Sequence, residues 1–184
     1  MPPNFPSPPP PPQDRLWCRA PVNAGRLRPW LTDRGSLTAR LEQRAGPVTV
    51  RVLFQGLRHA NRDEAFLFGS PARRVLVREV LLLRGRTPLV FAHTVLAASA
   101  LRGPWRRIGG LGNRPLGAAL FADPRIARHP LRQKKIGRHH PLHGRAAALL
   151  PGLPASLWAR RSLFAAGRSP ILVSEVFLPA VDRL

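Results

Sequence analysis

The sequence predicts an α+β fold, with a single antiparallel β-sheet built from hairpins and with helices and loops packed on one face. Two segments, 73–97 and 157–180, each contain two runs of strand-forming residues around a short turn that includes glycine. This pattern is typical of antiparallel hairpins. The segments with helical spacing lie outside the hairpins and do not alternate with single strands, which disfavours a parallel α/β sheet.

The first regular element is a helix within residues 28–46. Apolar residues recur at helical spacing from Trp30 to Leu41, start signals occur at 32–33 and again at Ser36, and Gly46 is a stop signal. A half-buried strand follows at 47–57, where valine and phenylalanine alternate with mostly polar residues.

The remaining elements are a hairpin, two short helices and a second hairpin. The first hairpin turns at RGRTP within 73–97, and short helices are expected at 115–123 and 144–150. The second hairpin turns at AGRSP within 157–180. Glycine and proline concentrate in 100–115 and 124–150, so these two segments are the predicted flaps over a pocket.

The N-terminal region is predicted to be a tail. Residues 1–12 contain eight of the 22 prolines, and such a segment is polyproline-like or disordered and cannot build a core. We therefore expect a disordered Pro-rich tail at 1–24 and one folded domain at 25–184. A ligand for a proline-binding domain is the alternative interpretation of the tail.

Composition limits the class of protein. The chain of 184 residues is 44% hydrophobic, which is sufficient for one globular domain. No apolar run is long enough to span a bilayer, and the N-terminus lacks the pattern of a secretory signal. Cys18 is the only cysteine, which excludes an internal disulfide, and we expect a cytoplasmic protein.

The charge is strongly positive. Thirty lysine and arginine residues face nine acidic residues, for a net charge of +21, and this field favours nucleic acid, phosphates, anionic membranes or small carboxylate substrates. The cations are spread along the chain and almost all of them are arginine. A coding bias toward arginine is the favoured explanation for most of the excess. Charge alone therefore selects no partner.

The two hairpins resemble each other in sequence. With an offset of 82 residues, Arg78 aligns with Arg160 and His93 aligns with Glu175. The shared residues fit a sheet built from related hairpins, although common turn chemistry would produce a similar match.

Arg78 and Glu175 are the candidate functional pair. Each is an ionisable residue among apolar neighbours on a strand that the sequence predicts to be central. One interpretation is a structural Arg–Glu pair or a wet strand face. The other is an apolar pocket in which Arg78 binds a carboxylate and Glu175 faces a hydroxyl group. Glu79 points to the other face and is a weaker candidate.

Metal and nucleotide chemistry have little support. His139, His140 and His143 cluster, but Pro141 prevents a simple helical pair of ligands, so no metal is expected. The sequence has no P-loop, nucleophile elbow or dinucleotide fingerprint. Helix-turn-helix, zinc-finger and aromatic stacking patterns for nucleic acid are also missing, which leaves only charge in favour of a nucleic-acid-binding protein.

Six segments in order resemble the chorismate pyruvate-lyase family. They are WLTDRGSLTARL, VREVLL, PLVFAHTV, LGNRPLGAALF, LWARRSLF and ILVSEVFLPA, and together they run from Trp30 to Leu178. The resemblance implies a single antiparallel sheet of about six strands, with helices and lid loops that enclose a ligand pocket on one face. It also implies that 25–184 is a monomeric catalytic domain that removes pyruvate from chorismate. The product is 4-hydroxybenzoate for ubiquinone biosynthesis, and no cofactor is required.

The resemblance also implies the site residues. The arginine of REVLL is Arg78, the leucine of RPLG is Leu116 and the glutamate of EVFLP is Glu175. Leu37 follows the serine of GSLT, where the family commonly has methionine. Arg78 and Glu175 are then the expected catalytic residues, and all four are expected to bind substrate.

One position departs from the family pattern. His93 stands in FAHTV where the family has an arginine. If that position binds the second carboxylate of chorismate, His93 carries the charge only when protonated, and substrate affinity becomes sensitive to pH.

A non-catalytic sensor domain of the same fold is the nearest alternative. Such proteins carry a DNA-binding domain ahead of the fold, where this chain has the Pro-rich region.

Overall fold

The computed structural model describes residues 17–68 and 74–184. Within them, one antiparallel sheet has the strand order β1–β2–β3–β7–β6–β4, and β5 also pairs with β6. The strands are β1 (Thr49–His59), β2 (Arg74–Arg84), β3 (Thr87–Ala97), β4 (Ile126–Arg128), β5 (Arg132–Gly137), β6 (Ser156–Ala166) and β7 (Ser169–Phe177). The predicted α+β class and single antiparallel sheet are confirmed, with seven strands instead of about six.

Five α-helices and four short 3-10 helices complete the described residues. The α-helices are α1 (Arg28–Thr32), α2 (Leu37–Ala45), α3 (Arg106–Gly109), α4 (Leu116–Ala122) and α5 (Pro141–Leu149). The 3-10 helices are Gly25–Leu27, Ala65–Leu67, Ala98–Arg102 and Pro179–Arg183.

The predicted helix within 28–46 forms as two pieces. Ser36 caps α2, because its Oγ accepts a hydrogen bond from the backbone N–H of Ala39 at 3.4 Å. Gly46 ends α2 with φ +77°, a conformation that glycine adopts without the steric cost of a Cβ atom. Both the start at Ser36 and the stop at Gly46 are therefore confirmed.

The folded part begins earlier than predicted. The Trp17 side chain is buried, and its Nε1–H donates to Asp63 Oδ2 at 3.1 Å. The backbone of Cys18 exchanges two hydrogen bonds of 2.8 Å with Gln133. These contacts offset the entropy cost of ordering the segment, so 17–24 belongs to the fold and the tail boundary expected at residue 24 is wrong. The proline run lies outside the described residues.

The segment 124–150 is not the flap that its glycine and proline content predicted. It contributes β4 and β5, which pair with successive parts of β6 at one edge of the sheet. Pro130, which has no N–H to donate, lies between them. Short length and broken pairing explain why alternation in the sequence did not reveal these strands.

The two hairpins differ in register, and this difference decides which side chains share a face. Arg160 lies opposite Glu175 in the β6–β7 hairpin, whereas Arg78 lies opposite Thr94 in the β2–β3 hairpin. The pairing shifts by one residue between Leu82 and Leu83. A shift of one residue moves a side chain to the opposite face, so the sequence alignment of His93 with Glu175 does not place them together.

Both faces of the sheet are covered. On the face that carries Arg78, apolar residues of α2 pack against Val80 and Leu82 of β2, and apolar residues of α4 pack against Leu76. On the other face, Leu142 and Ala146 of α5 pack against Leu81 and Phe91. The apolar run of β2 accordingly faces a packed layer on each side. No helix in the described ranges is long and apolar enough to cross a membrane.

Candidate active site

A cavity lies between the sheet and the two covering helices α2 and α4. Its walls include Gly35, Thr38, Val80, Ala92, Thr94, Leu116, Gly117, Leu120, Phe121, Phe164 and Val173, together with the charged residues described below. The helices come close over it, since a Cβ atom on residue 117 would lie 3.1 Å from Ser36 Oγ. The cavity volume is about 50 Å³, well below that of a typical ligand pocket, so binding of a ring-sized ligand requires the helices to separate.

Arg78 is buried in the floor of this cavity. Its Nη2 donates to the carbonyl oxygens of Gly112 at 2.8 Å and Arg114 at 3.3 Å. Burial lowers the pKa of Arg78 from its ordinary value, yet a guanidinium remains charged near neutral pH. The buried Nε–H has no hydrogen-bond partner among the described residues. Arg78 is therefore a fixed cation with a donor left for an anionic ligand.

Glu175 is paired with Arg160 and not with Arg78. Arg160 Nε donates to Glu175 Oε2 at 2.6 Å, and its Nη1 donates to the carbonyl oxygens of Trp30 and Asp33, both at 2.8 Å. The Arg160 side chain is 1% exposed and that of Glu175 is 14% exposed. Arg160 thus fixes one oxygen of Glu175 and ties β6 to the segment around α1, while the carboxylate still lines the cavity.

Arg128 is a third arginine of the cavity, which the sequence analysis missed. Its Nη2 donates to Ser162 Oγ at 2.8 Å, and its Nη1 donates to the carbonyl oxygens of Arg34 and Gly35. Burial and, after it, the charge of Arg160 lower the pKa of Arg128 to about 10. Its buried Nε–H has no partner among the described residues. Arg128 belongs to a strand of three residues, so no periodicity in the sequence marked it.

The cavity has an excess of positive charge. Its ionisable lining residues, in the part of the chain that the structure describes, are Arg78, Arg128, Arg160 and Glu175. Three guanidinium groups against one carboxylate leave an excess of two positive charges in a largely apolar enclosure. Such a site favours a ligand with two negative charges, because buried charges need partners.

Two of the four expected substrate-binding residues, Leu116 and Leu37, differ in whether they line the cavity. Leu116 is the first residue of α4 and lines the cavity. Leu37 is buried against Leu41 and Val80 in the apolar core and is not among the lining residues, whereas Thr38 is. The cap at Ser36 sets the rotation of α2, and this rotation turns Thr38 to the cavity and Leu37 to the core.

The expectation that His93 binds substrate is wrong. His93 pairs with Glu79 across β2 and β3 on the face opposite to the cavity. Its Nδ1 lies 3.0 Å from Glu79 Oε1 and its Nε2 lies 3.1 Å from Glu64 Oε1. Arg145 Nη1 donates to the same Glu79 oxygen at 2.7 Å. His93 is part of a buried charged cluster beneath the sheet and does not contact the cavity.

This cluster favours the charged form of His93. Burial on its own lowers the pKa of His93, but the charges and hydrogen bonds of Glu64 and Glu79 outweigh it and raise the pKa above the ordinary value. Burial also acts to raise the pKa of Glu79, but His93 and Arg145 hold it below its ordinary value. The pH sensitivity of His93 therefore acts on the stability of the fold and not on ligand charge.

No group of three or more histidine, cysteine, aspartate or glutamate side chains in 17–68 and 74–184 is arranged to hold a metal ion. His140 instead caps α5 through its Nδ1, which accepts from the backbone N–H of Leu142 at 3.2 Å. His143 Nε2 lies 2.8 Å from the carbonyl oxygen of Pro154. His140 and His143, two of the three histidines noted in the sequence, therefore have structural contacts.

Known proteins resemble this chain over nearly its whole length. A probable chorismate pyruvate-lyase of Nitrosomonas europaea is 49% identical over 170 residues, which are 91% of this chain and 96% of that protein. One from Azoarcus sp. is 52% identical over 162 residues, 85% of each chain. One from Aromatoleum aromaticum is 48% identical over 181 residues, 94% of this chain and 97% of that one.

Solved structures share the fold at low sequence identity. The effector domain of PhnF from Mycobacterium smegmatis has a TM-score of 0.51 and 19% identity, covering 79% of this chain and 90% of that domain. A GntR-family transcriptional regulator from Bacillus cereus has a TM-score of 0.52 and 14% identity, covering 72% of this chain and 92% of that one. The family described as chorismate lyase matches residues 12–183. This chain belongs to the chorismate lyase family.

Proposed function

We propose that the cavity between the sheet and helices α2 and α4 is an active site in which this chain removes pyruvate from chorismate and releases 4-hydroxybenzoate. The observation that carries the proposal is the charge of the cavity, where Arg78, Arg128 and Arg160 exceed Glu175 by two positive charges. Chorismate is a dianion, with one carboxylate on its ring and one on its enolpyruvyl ether. A chain of this family with a cavity of this charge is matched to that substrate, and the product supplies ubiquinone biosynthesis.

The placement of Arg78 and Glu175 suits one six-membered ring. Arg78 lies on β2 and Glu175 on β7, with β3 between them. Arg78 is opposite Thr94 and Glu175 is opposite Ala92, so their backbones are about 12 Å apart. Both side chains line the cavity, and once the covering helices separate, a ring that carries a carboxylate at one end and a hydroxyl group at the other fits between them. Arg78 binds the ring carboxylate, and Glu175 accepts a hydrogen bond from the hydroxyl group at C4.

Arg128 receives the second carboxylate. The enolpyruvyl ether is attached at C3, next to the C4 hydroxyl group, so its carboxylate lies at the same end of the ring as Glu175. Arg128 donates to Ser162 on β6, the strand that also carries Arg160, the partner of Glu175, and these contacts support a position of its guanidinium near that end. Arg128 thereby distinguishes chorismate from a ligand with a single carboxylate.

Arg160 is a positioning residue. It holds Glu175 Oε2 at 2.6 Å and is anchored by two backbone carbonyl groups, so the carboxylate has little freedom to rotate. A carboxylate held in place before substrate arrives loses no conformational entropy on binding. The second oxygen of Glu175 then faces the ligand.

The reaction depends mainly on how the substrate is oriented and on how its developing charge is stabilised. The C3–O bond breaks, the hydrogen at C4 leaves, and the methylene carbon of the enolpyruvyl group gains a proton to give pyruvate. The ring becomes aromatic and keeps its C4 hydroxyl group, so all atoms are accounted for and no electrons are gained or lost overall. No oxidant or reductant is required. Glu175 orients the C4 end of the ring, and the arginines stabilise the negative charge that shifts to the departing enolpyruvyl group.

The test is turnover of chorismate by the purified chain, with 4-hydroxybenzoate and pyruvate measured together. We expect equimolar products from the wild type. Glu175→Gln should lower kcat by about 10²–10⁴-fold, and Arg78→Gln should raise KM, because it removes the ring carboxylate partner. The exposed residues Glu42 and Arg84 provide matched controls, and Glu42→Gln and Arg84→Gln should retain wild-type kinetics.

Binding of chorismate without turnover would refute the lyase and indicate the sensor alternative. Turnover that survives Glu175→Gln unchanged would refute the assigned site.

We also propose that the chain acts as a monomer in the cytoplasm, without a nucleic-acid partner. The charged residues that the proposed reaction uses, Arg78, Arg128, Arg160 and Glu175, are all supplied by one chain, which supports a monomer. Sedimentation at working concentration should show one species of 20.3 kDa. Salt-sensitive binding to duplex DNA or RNA at physiological ionic strength would contradict this part of the proposal.

A further inference from the structure

A second, larger cavity opens on the outer side of α4. Its volume is about 700 Å³, which is within the range of small-molecule sites. Its lining comes from two stretches of chain on either side of a groove, 102–108 and 116–126. Trp105 and Ile108 give it an apolar floor, since both are buried.

The groove is strongly cationic. Arg102, Arg106 and Arg107 line it, are exposed, and form no ion pair within 4.0 Å in the ranges that the structure describes. Asp123 is the acidic residue of its lining, and Arg125 binds it at 2.8 Å. The carboxylate of the groove is therefore already neutralised, and three guanidinium groups face the open volume.

Helix α4 is the wall between this groove and the inner cavity. Leu116 and Leu120 line both spaces. The helix has seven residues and no side-chain cap at its start, and Gly110 and Gly112 precede it. A short, uncapped helix after glycines is inexpensive to displace. The inner cavity is smaller than a ring-sized ligand requires, so a ligand enters only when a covering element moves.

We infer that the groove of Arg102, Arg106 and Arg107 is an outer binding site for the dicarboxylate substrate, from which chorismate passes into the inner cavity by displacement of α4. This inference rests on the proposed function, because it assigns the path of that substrate. The exposed arginines concentrate a dianion at the entrance, and the buried arginines beyond α4 hold it for reaction. Exposed cations raise the rate at which a dianion associates with the protein, because their field extends over several ångströms. Buried cations instead determine how tightly the dianion binds.

The control must separate local capture from the general positive field of the chain. Arg51, Arg84 and Arg86 are also exposed and lie near the turn between β2 and β3. The groove follows β3 at Ala97, which pairs with Val75 at the other end of the sheet. Replacing either set with glutamine removes three charges, so the two triple variants have equal net charge.

The experiment compares the groove triple, Arg102→Gln/Arg106→Gln/Arg107→Gln, with the control triple, Arg51→Gln/Arg84→Gln/Arg86→Gln. Two quantities are measured at low and high ionic strength: kcat/KM for chorismate, and the association rate constant from stopped-flow quenching of tryptophan fluorescence. We expect the groove triple to lose about tenfold in both at low salt relative to the control triple. The difference should shrink as salt screens the charges.

Equal values for the two triple variants would overturn the outer site, even if the wild type turns over chorismate normally. The absence of turnover by the wild type would instead refute the proposed function, and the association rate constants would still decide between the groove and the general field. A loss in the groove triple that salt does not reduce would also overturn the inference, since capture by exposed charge must be screened.

Discussion

Arg128 offers the sharpest test of how the cavity recognises its ligand, because chorismate has two carboxylates and 4-hydroxybenzoate has one. Arg128→Gln removes the guanidinium and keeps a polar side chain. If Arg128 binds the enolpyruvyl carboxylate, the substitution weakens chorismate binding and leaves product binding nearly unchanged. Arg78→Gln, in contrast, should weaken both ligands, since both carry the ring carboxylate.

The magnitude follows from the contacts of Arg128. A charged hydrogen bond contributes about 1.5–3 kcal/mol, but Arg128 already donates to Ser162 Oγ at 2.8 Å and to backbone carbonyl groups. Its Nε–H is the donor without a partner among the described residues, so one bond to the carboxylate is expected and the lower limit applies. About 1.5 kcal/mol corresponds to roughly a tenfold rise in KM for chorismate. The inhibition constant of 4-hydroxybenzoate should change by less than about twofold on the same scale.

The assay is initial-rate kinetics with chorismate as substrate and 4-hydroxybenzoate as competitive inhibitor. Arg84→Gln, at an exposed position outside the cavity, controls for the loss of one charge. Thermal melting of Arg128→Gln controls for its bonds to the carbonyl groups of Arg34 and Gly35. An equal loss for chorismate and for 4-hydroxybenzoate would refute the assignment, because Arg128 would then serve the shared carboxylate or the packing of α2.

Three further outcomes are expected. Above about pH 10, where Arg128 loses its proton, KM for chorismate should rise in the wild type and stay flat in Arg128→Gln; identical profiles would contradict this. His93→Gln should destabilise the fold most below about pH 6.5, where the wild-type imidazolium contributes fully to stability. The destabilisation should decrease as pH rises through the raised pKa of His93 in the folded state. Denaturation midpoints at several pH values test this, and a difference between the two proteins that does not change with pH would refute it. Trp17→Ala should cost about 3–5 kcal/mol and lower Tm by about 10 °C; an unchanged Tm would mean that Trp17 does not belong to the cooperative fold.

Much of the fold is determined locally in the sequence. Alternating or continuous apolar runs beside Gly85 and Gly167 specify both hairpins, since each glycine adopts a positive φ in the turn. Ser36 and Gly46 mark the ends of α2. These signals depend on residues within a few positions of each other. The edge strands β4 and β5 pair with residues of β6 that lie 19 to 40 positions further along the chain, and Trp17 donates to Asp63, 46 positions away. These partners lie beyond the reach of local patterns, and composition obscured them.

The candidate site, like the fold, is determined partly by the local sequence and partly by the tertiary structure. Arg78 and Glu175 stand out in the sequence, because ionisable residues in apolar strands require a partner or a function. Only the tertiary structure gives Glu175 the partner Arg160, brings Arg128 from a three-residue strand to the cavity, and turns Leu37 into the core. A one-residue change of register along β2 and β3 places His93 beneath the sheet, among Glu64, Glu79 and Arg145. Side-chain alternation makes the face of a strand residue depend on long-range pairing, which the local sequence does not encode.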